Sequence, residues 1–264
     1  MPDLSRRILA VTNQKGGVGK TTTAINLGAA LARLKKRVLL IDLDPQGNAS
    51  TGLGVVPSDR MFTTYDLLVD EVPLANVVLA TQVENLFLAP ATTDLSSADV
   101  DLVGHKHRTT LLRTALRGQT EHAYDVILID CPPALSLLTV NALVAADAAL
   151  VPLQTEFFAL EGLSQLLLTV RQVRDTANPD LRVEGVVLTM FDQRNNLCRQ
   201  VEEDARNTLG GLVYDTKIPR NVRVSEAPSF ALPVIEYDPT SRGSEAYLEL
   251  AQEFLERNEV REKV

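Results

Sequence analysis

The chain of 264 residues is acidic, with 34 Asp and Glu against 26 Lys and Arg and a formal net charge of −8, so its overall field repels nucleic acid and any contact with DNA must be local. Its two cysteines are too few for a disulfide framework. No apolar run approaches the ~18 residues of a membrane span or forms a secretory leader, which points to a cytoplasmic protein. The length suits one filled α/β core, and without a Gly/Ser- or Pro-rich linker the economical reading is a single domain over 1–264.

The first element is the apolar run Ile8 to Val11, short and continuous as in a strand buried on both faces. Lys15-Gly16-Gly17-Val18-Gly19-Lys20-Thr21-Thr22 follows, and then a helical pattern with Ala24, Leu27, Leu31 and Leu34 on one face. Strand, loop and helix in that order are the setting in which glycines let successive N–H groups turn onto a polyphosphate. Lys20 would reach the terminal phosphates, the Thr21 hydroxyl would ligate the accompanying Mg²⁺, and the helix N-terminus adds its positive dipole end. A turn that only reversed the chain would need neither Lys20 nor Thr21. The usual pattern, G-x-x-x-x-G-K-[ST], places its first glycine at position 14, where Gln14 stands; Lys15 comes next. Two ammonium groups on one loop repel unless phosphate absorbs both.

Further apolar runs at Val38 to Ile41, Val126 to Ile129, Ala148 to Val151 and Val186 to Leu188 read as strands. Helical periods lie between and after them, at Leu163, Leu166, Leu167, Val170 and Val173 and at Tyr247, Leu250, Ala251 and Phe254. The alternation predicts a mostly parallel sheet with helices on both faces and ligands beyond the carboxyl ends of its strands. Asp42 and Asp44 follow the second run and are expected near that edge; Asp44 with Pro45 and Gly47 also has the composition of a turn. Asp130, after the strand Tyr124 to Ile129, reads as a carboxylate holding Mg²⁺ directly or through water, or as the start of an Asx turn into Cys131-Pro132-Pro133. Polar stretches over 54–64 and 91–107 are expected to be surface loops. His105 and His107 form an H-x-H pair without a nearby third ligand. Cys198 lies in a polar, helical stretch, Asn195 to Asp204, away from Cys131, so idle thiols are favoured over a cluster shared by two subunits.

Taken with Asp42-Leu43-Asp44-Pro45-Gln46-Gly47-Asn48, Asp130-Cys131-Pro132-Pro133, Glu156-Phe157-Phe158-Ala159-Leu160-Glu161-Gly162-Leu163 and Pro219-Arg220-Asn221-Val222-Arg223, the lysine-headed loop makes five ordered matches. Over nearly its whole length the chain resembles the ParA/Soj family of chromosome- and plasmid-partitioning ATPases, in the group with a deviant Walker motif that includes MinD. The resemblance implies an ATP- and Mg²⁺-dependent hydrolase. It implies that Asp44 positions the attacking water, and that Lys15 crosses to the phosphates of a second subunit in an ATP-dependent homodimer. It places an adenine-contacting loop at Pro219 and Asn221, though Asn221 could equally cap a helix or turn.

The resemblance also implies non-specific DNA binding by the dimer, for which Arg194 and Arg223 are the candidates, nucleoid association, and a ParB-type centromere-binding partner that stimulates slow hydrolysis. With fourteen residues before Lys15, no N-terminal helix-turn-helix domain is expected. Membrane attachment in the MinD manner is not expected either. Residues 245–263 carry Glu245, Glu249, Glu253, Glu256, Glu259 and Glu262 against Arg257, Arg261 and Lys263, which anionic lipid would repel. Regulatory use of the same ATP switch, and cofactor assembly by a relative of the same superfamily, are the alternatives.

Overall fold

The computed structural model describes residues 6–117 and 123–262. Seven strands form one sheet: β1 (Arg7–Val11), β2 (Val38–Asp42), β3 (Leu79–Ala80), β4 (Leu86–Ala89), β5 (Val126–Asp130), β6 (Ala148–Gln154) and β7 (Arg182–Thr189). Their spatial order is β3-β4-β2-β5-β1-β6-β7, and every neighbouring pair is parallel except β3 with β4. The longer helices are α1 (Lys20–Arg33), α2 (Leu137–Ala145), α3 (Ala159–Thr176), α4 (Asn196–Leu209) and α5 (Arg242–Glu262).

The strands read as continuous apolar runs because both faces are covered. Leu9 and Val11 of β1, Val38 and Leu40 of β2, and Val126 and Leu128 of β5 join one cluster with residues of α1 and α5. The alternate residues Ile8, Ala10, Leu39, Ile41, Ile127 and Ile129 join another with residues of α2 and α3. A third cluster packs β6 and β7 against α3 and α4. β4, absent from the expected strands, is a Leu-Phe-Leu-Ala stretch without a β-branched residue, so it carries little strand signal of its own.

α1 is buried on nearly every side, with all residues from Thr23 to Ala32 inside, rather than along the single face expected. Gly28 makes this approach possible: a Cβ there would meet the methyl carbons of Leu86 and Leu128 at 3.2 and 3.4 Å. Tyr247, Leu250, Ala251 and Phe254 form the buried face of α5, which packs along α1 as an amphipathic cover. Lys263, which enters the charge balance of this helix, lies outside the described residues. The stretches 54–64 and 91–107 lie largely at the surface, as expected, but hold short helical turns and bury a few residues: Leu95 and Ala98 join an apolar cluster, and the Arg60 guanidinium donates to the Val55 and Ala91 carbonyls and the Thr51 hydroxyl.

The register sets the site. Asp130, last in β5, is paired with Val11 on one side and with Asp42 on the other. The loop leaving β1 and two carboxylates therefore meet at one sheet edge, the place where open α/β sheets take their ligands.

Candidate nucleotide-binding site

The loop after β1 needs its glycines: Gly17 and Gly19 have φ of 76° and 89°, and Gly19 is the left-handed N-cap of α1. Asn13 braces the loop against β6, donating to the Pro152 carbonyl at 2.8 Å and accepting from the Lys15 N–H at 3.1 Å. Thr189, the end of β7, donates from its hydroxyl to the Val18 carbonyl at 2.8 Å. Lys20 is buried and its Nζ donates to the Lys15 carbonyl at 2.9 Å. Burial lowers its pKa, against the nearby negative charge of Asp130. The Lys15 ammonium, at the other end of the loop, is ion-paired with Glu156 just beyond β6.

Three aspartates stand beside this loop, in different states. Asp42 is fully buried; its carboxylate accepts from the Ser50 hydroxyl at 2.7 Å, the Ser50 N–H at 2.9 Å and the Asp44 N–H at 3.2 Å. Burial pushes its pKa up to about 6, opposed by those bonds. Asp42 therefore stands at the sheet edge, as expected, but its oxygens are spent on bracing the turn that follows. Asp44 is 9% exposed and uses Oδ1 to accept from the Gln46 N–H at 2.9 Å, which is the turn.

Asp130 is fully buried with neither carboxylate oxygen hydrogen-bonded. Burial and then Asp42 raise its pKa well above the carboxylate range, while Thr21 and Lys20 favour the ion. An orphaned carboxylate is costly unless something cationic completes it. Its setting beside the Thr21 hydroxyl is a hard oxygen-donor set with few protein ligands, which suits Mg²⁺ bound mainly by phosphate and water. Burial also raises the Cys131 thiol's pKa, while Cys198 is buried on α4, receiving the Thr155 hydroxyl at 3.1 Å. Among the described residues no cluster of three His, Cys, Asp or Glu could hold a metal ion, and His105 lies 3.9 Å from Glu71 at the surface.

Next to the loop is a cavity of about 270 Å³ lined by Gly19, Thr22, Thr189, Pro219, Asn221 and Tyr247. The structure thus brings Pro219 and Asn221 to the phosphate loop. Asn221 also caps the short helix Val222–Glu226, its Oδ1 accepting from the Arg223 N–H at 2.8 Å, so the cap alternative is observed as well.

The two arginines singled out for DNA stand apart from this site. Arg194 is 91% exposed and grips Asp192, two residues before it in the same turn, at 3.1 Å; Arg223 is half-exposed and paired with Glu226 and Asp238 at 2.9 and 3.3 Å. Arg206 and Lys217, in the same basic stretch, both share Glu202. Sequence reasoning missed the supporting residues Asn13, Ser50, Thr189 and Glu156. Thr189 and Ser50 carry no motif of their own; Glu156 opens one of the five matching segments, but its spacing assigns it no role.

A glycine loop on a helix N-terminus, two lysines and an unpaired aspartate at the end of a parallel strand define a P-loop protein of the deviant type, and an AAA domain family model matches residues 6–183. The chromosome partitioning protein ParA of Caulobacter vibrioides is 54% identical over 257 residues, 97% of this chain and 96% of that one. The sporulation initiation inhibitor protein Soj of Bacillus subtilis is 55% identical over 247 residues, 94% and 97% of the two chains. Among solved structures, cobyrinic acid a,c-diamide synthase from Mycobacterium smegmatis with bound ADP and magnesium is 37% identical, covers 94% and 93%, and superposes with a TM-score of 0.81. The chain belongs to the ParA/Soj family of chromosome-partitioning ATPases.

Proposed function

We propose that this chain is a Mg²⁺-dependent ATPase that alternates between a monomer and an ATP-bound homodimer, and that the dimer binds DNA without sequence preference. In this reading Gly16, Gly17, Val18, Gly19 and Thr22 cradle the phosphates with their N–H groups, and Lys20 exchanges the Lys15 carbonyl for the terminal phosphates. Thr21 and Asp130 hold Mg²⁺, which neutralises the charge that develops on the transferred phosphoryl group. Asp44, already oriented by the Gln46 N–H, positions the attacking water with its free oxygen; phosphoryl transfer asks for positioning and charge neutralisation more than for covalent chemistry. Lys15 reaches the nucleotide of the other subunit, so loss of the γ-phosphate weakens the dimer.

The base occupies the cavity beside Pro219, where the Asn221 amide N–H₂ is left to donate to an adenine ring nitrogen once its oxygen has capped the helix. Arg194 and Arg223 supply phosphate contacts to DNA, and dimerisation sets two such edges side by side. The protein works in the cytoplasm on the nucleoid, and a ParB-type partner accelerates hydrolysis and resets the cycle.

The observation that supports this reading is the buried Asp130 carboxylate, without a hydrogen-bond partner of its own, beside Thr21 and Lys20. The decisive experiment compares DNA binding in ATP, ADP and nucleotide-free buffer, with and without the partner. Equal binding in all three would sink the switch. The Bacillus relative's name as a sporulation inhibitor favours a second reading, in which ATP is a conformational ligand for regulation. Partner-stimulated phosphate release belongs only to the first.

A further inference from the structure

We propose that Glu156 is a positioning residue for Lys15: in the free subunit it holds the ammonium against its own sheet, and that hold must be released before the lysine can cross to a second subunit. The proposal rests on the cross-subunit reading of Lys15 and adds to it the group that opposes dimerisation.

Lys15 is anchored twice to the same neighbour. Its backbone N–H is fixed by Asn13, whose amide is in turn bonded to Pro152 within β6, and its ammonium is paired with Glu156, two residues beyond the end of that strand. β6 lies directly beside β1, so the loop and Glu156 leave the sheet as neighbours. The pair is not a deep one: the two side chains are 41% and 33% exposed, which leaves it weak enough to exchange. Immediately after it, Phe157 and Phe158 stand 77% and 61% exposed, edge to face at 5.0 Å. Two aromatic rings left in solvent directly after Glu156 in the chain mark a surface that another state covers, and a second copy carrying Lys15 across is the occupant the reading supplies.

One ammonium cannot neutralise Glu156 at home and a polyphosphate across an interface at once. Any interaction made in the monomer and broken in the dimer opposes association by its own strength, and a symmetric dimer breaks it twice. At the worth of a partly exposed ion pair, two such breaks amount to about fivefold in the dimer dissociation constant. Without ATP the pair keeps lysines off the interface, where they would repel; with ATP the phosphates out-compete the carboxylate.

The test is sedimentation velocity with a non-hydrolysable ATP analogue on wild type, Glu156→Gln, Glu156→Asp, Lys15→Gln and the double variant Lys15→Gln/Glu156→Gln. Glu156→Gln should tighten the dimer about fivefold, Glu156→Asp should stay near wild type because the charge is kept, and the gain should shrink in high salt. In the Lys15→Gln background Glu156→Gln should change nothing. If Glu156→Gln is neutral or weakening, or tightens the dimer equally in the Lys15→Gln background, the hold is refuted, provided Lys15→Gln alone weakens dimerisation. If Lys15→Gln dimerises like wild type, the cross-subunit reading itself fails. A check on wild type needs no variant: acylation of Lys15 relative to the exposed Lys106, read by peptide mass spectrometry without nucleotide, should rise with salt, and no rise overturns the proposal.

Discussion

The phosphate end of the molecule and its basic edge are built on opposite electrostatic principles. At the phosphate end charged side chains are buried with few partners: the Asp130 carboxylate oxygens have no hydrogen-bond partner, and the Lys20 ammonium donates to a loop carbonyl. Along the basic edge four cations are already answered, Arg206 and Lys217 by Glu202, Arg223 by Glu226 and Asp238, Arg194 by Asp192. A site whose polar groups await a ligand binds it strongly and specifically. A surface that has satisfied itself binds by exchanging one partner for another, with little net gain at each exchange. The contrast suits the proposed cycle, in which nucleotide is held while DNA is bound and released.

The largest effects should therefore come from the phosphate end, and two substitutions there separate binding from turnover. Lys20→Ala removes a buried cation from the phosphates and should weaken ATP binding by roughly 100-fold or more, as measured by calorimetry. Asp44→Ala leaves that cation in place. It should keep ATP affinity within a few-fold while phosphate release falls by roughly 100-fold, and the protein should accumulate as a DNA-bound dimer. Rapid turnover by Asp44→Ala would return Asp44 to its turn alone.

Removal of the orphaned charge tests the next claim, that Asp130 is costly until Mg²⁺ arrives. Asp42 and Asp130 both have pKa values raised above those of an unfolded chain, so between about pH 4 and pH 6 the folded state binds more protons than the unfolded one. Nucleotide-free stability contributed by these groups is therefore highest at low pH, declines as pH rises through about 6, and stays reduced above it. Asp130→Asn should raise the melting temperature of the nucleotide-free protein at pH 8 by several degrees, at roughly 2–4 °C for each kcal/mol relieved. It should also flatten the decline with pH and abolish the extra stabilisation that Mg²⁺ adds to ATP. A lower melting temperature at pH 8 would show that the fold already compensates the carboxylate.

Legibility in the sequence follows the same division. The phosphate loop could be read because backbone geometry imposes residue types at fixed spacing: only glycine suits φ of 76° and 89° at Gly17 and Gly19. Five of the strands could be read because a sheet covered on both faces leaves an unbroken apolar run. β4 could not, since Leu-Phe-Leu-Ala owes its place to its neighbours. Arg60 could not, because burial of a guanidinium depends on three acceptors brought in by folding. Asp42 and Asp44 look alike as letters two apart. Ser50 and the end of β2 at Asp42 decide the difference: Asp42 becomes a brace, while Asp44, beyond the strand, accepts from the Gln46 N–H in the turn.

The smallest effect expected is at the basic edge, and it can rank two residues that sequence alone treats as equals. Removing one cation from the DNA backbone should reduce the steepness of DNA affinity against salt by about one unit in a log–log plot. Arg194 stands 91% exposed with a single acidic partner from its own turn, so it can turn to a phosphate at the expense of one exposed pair. Arg223 must leave both Glu226 and Asp238, and its backbone N–H is held by the Asn221 cap beside the base cavity. Arg194→Ala should therefore lower the slope by about one while ATP hydrolysis is unchanged, and Arg223→Ala should lower it by less. If Arg223→Ala instead produces the larger drop, its acidic pairs are broken in the ATP-bound dimer, and the basic edge is being remodelled by the same nucleotide that completes the phosphate end.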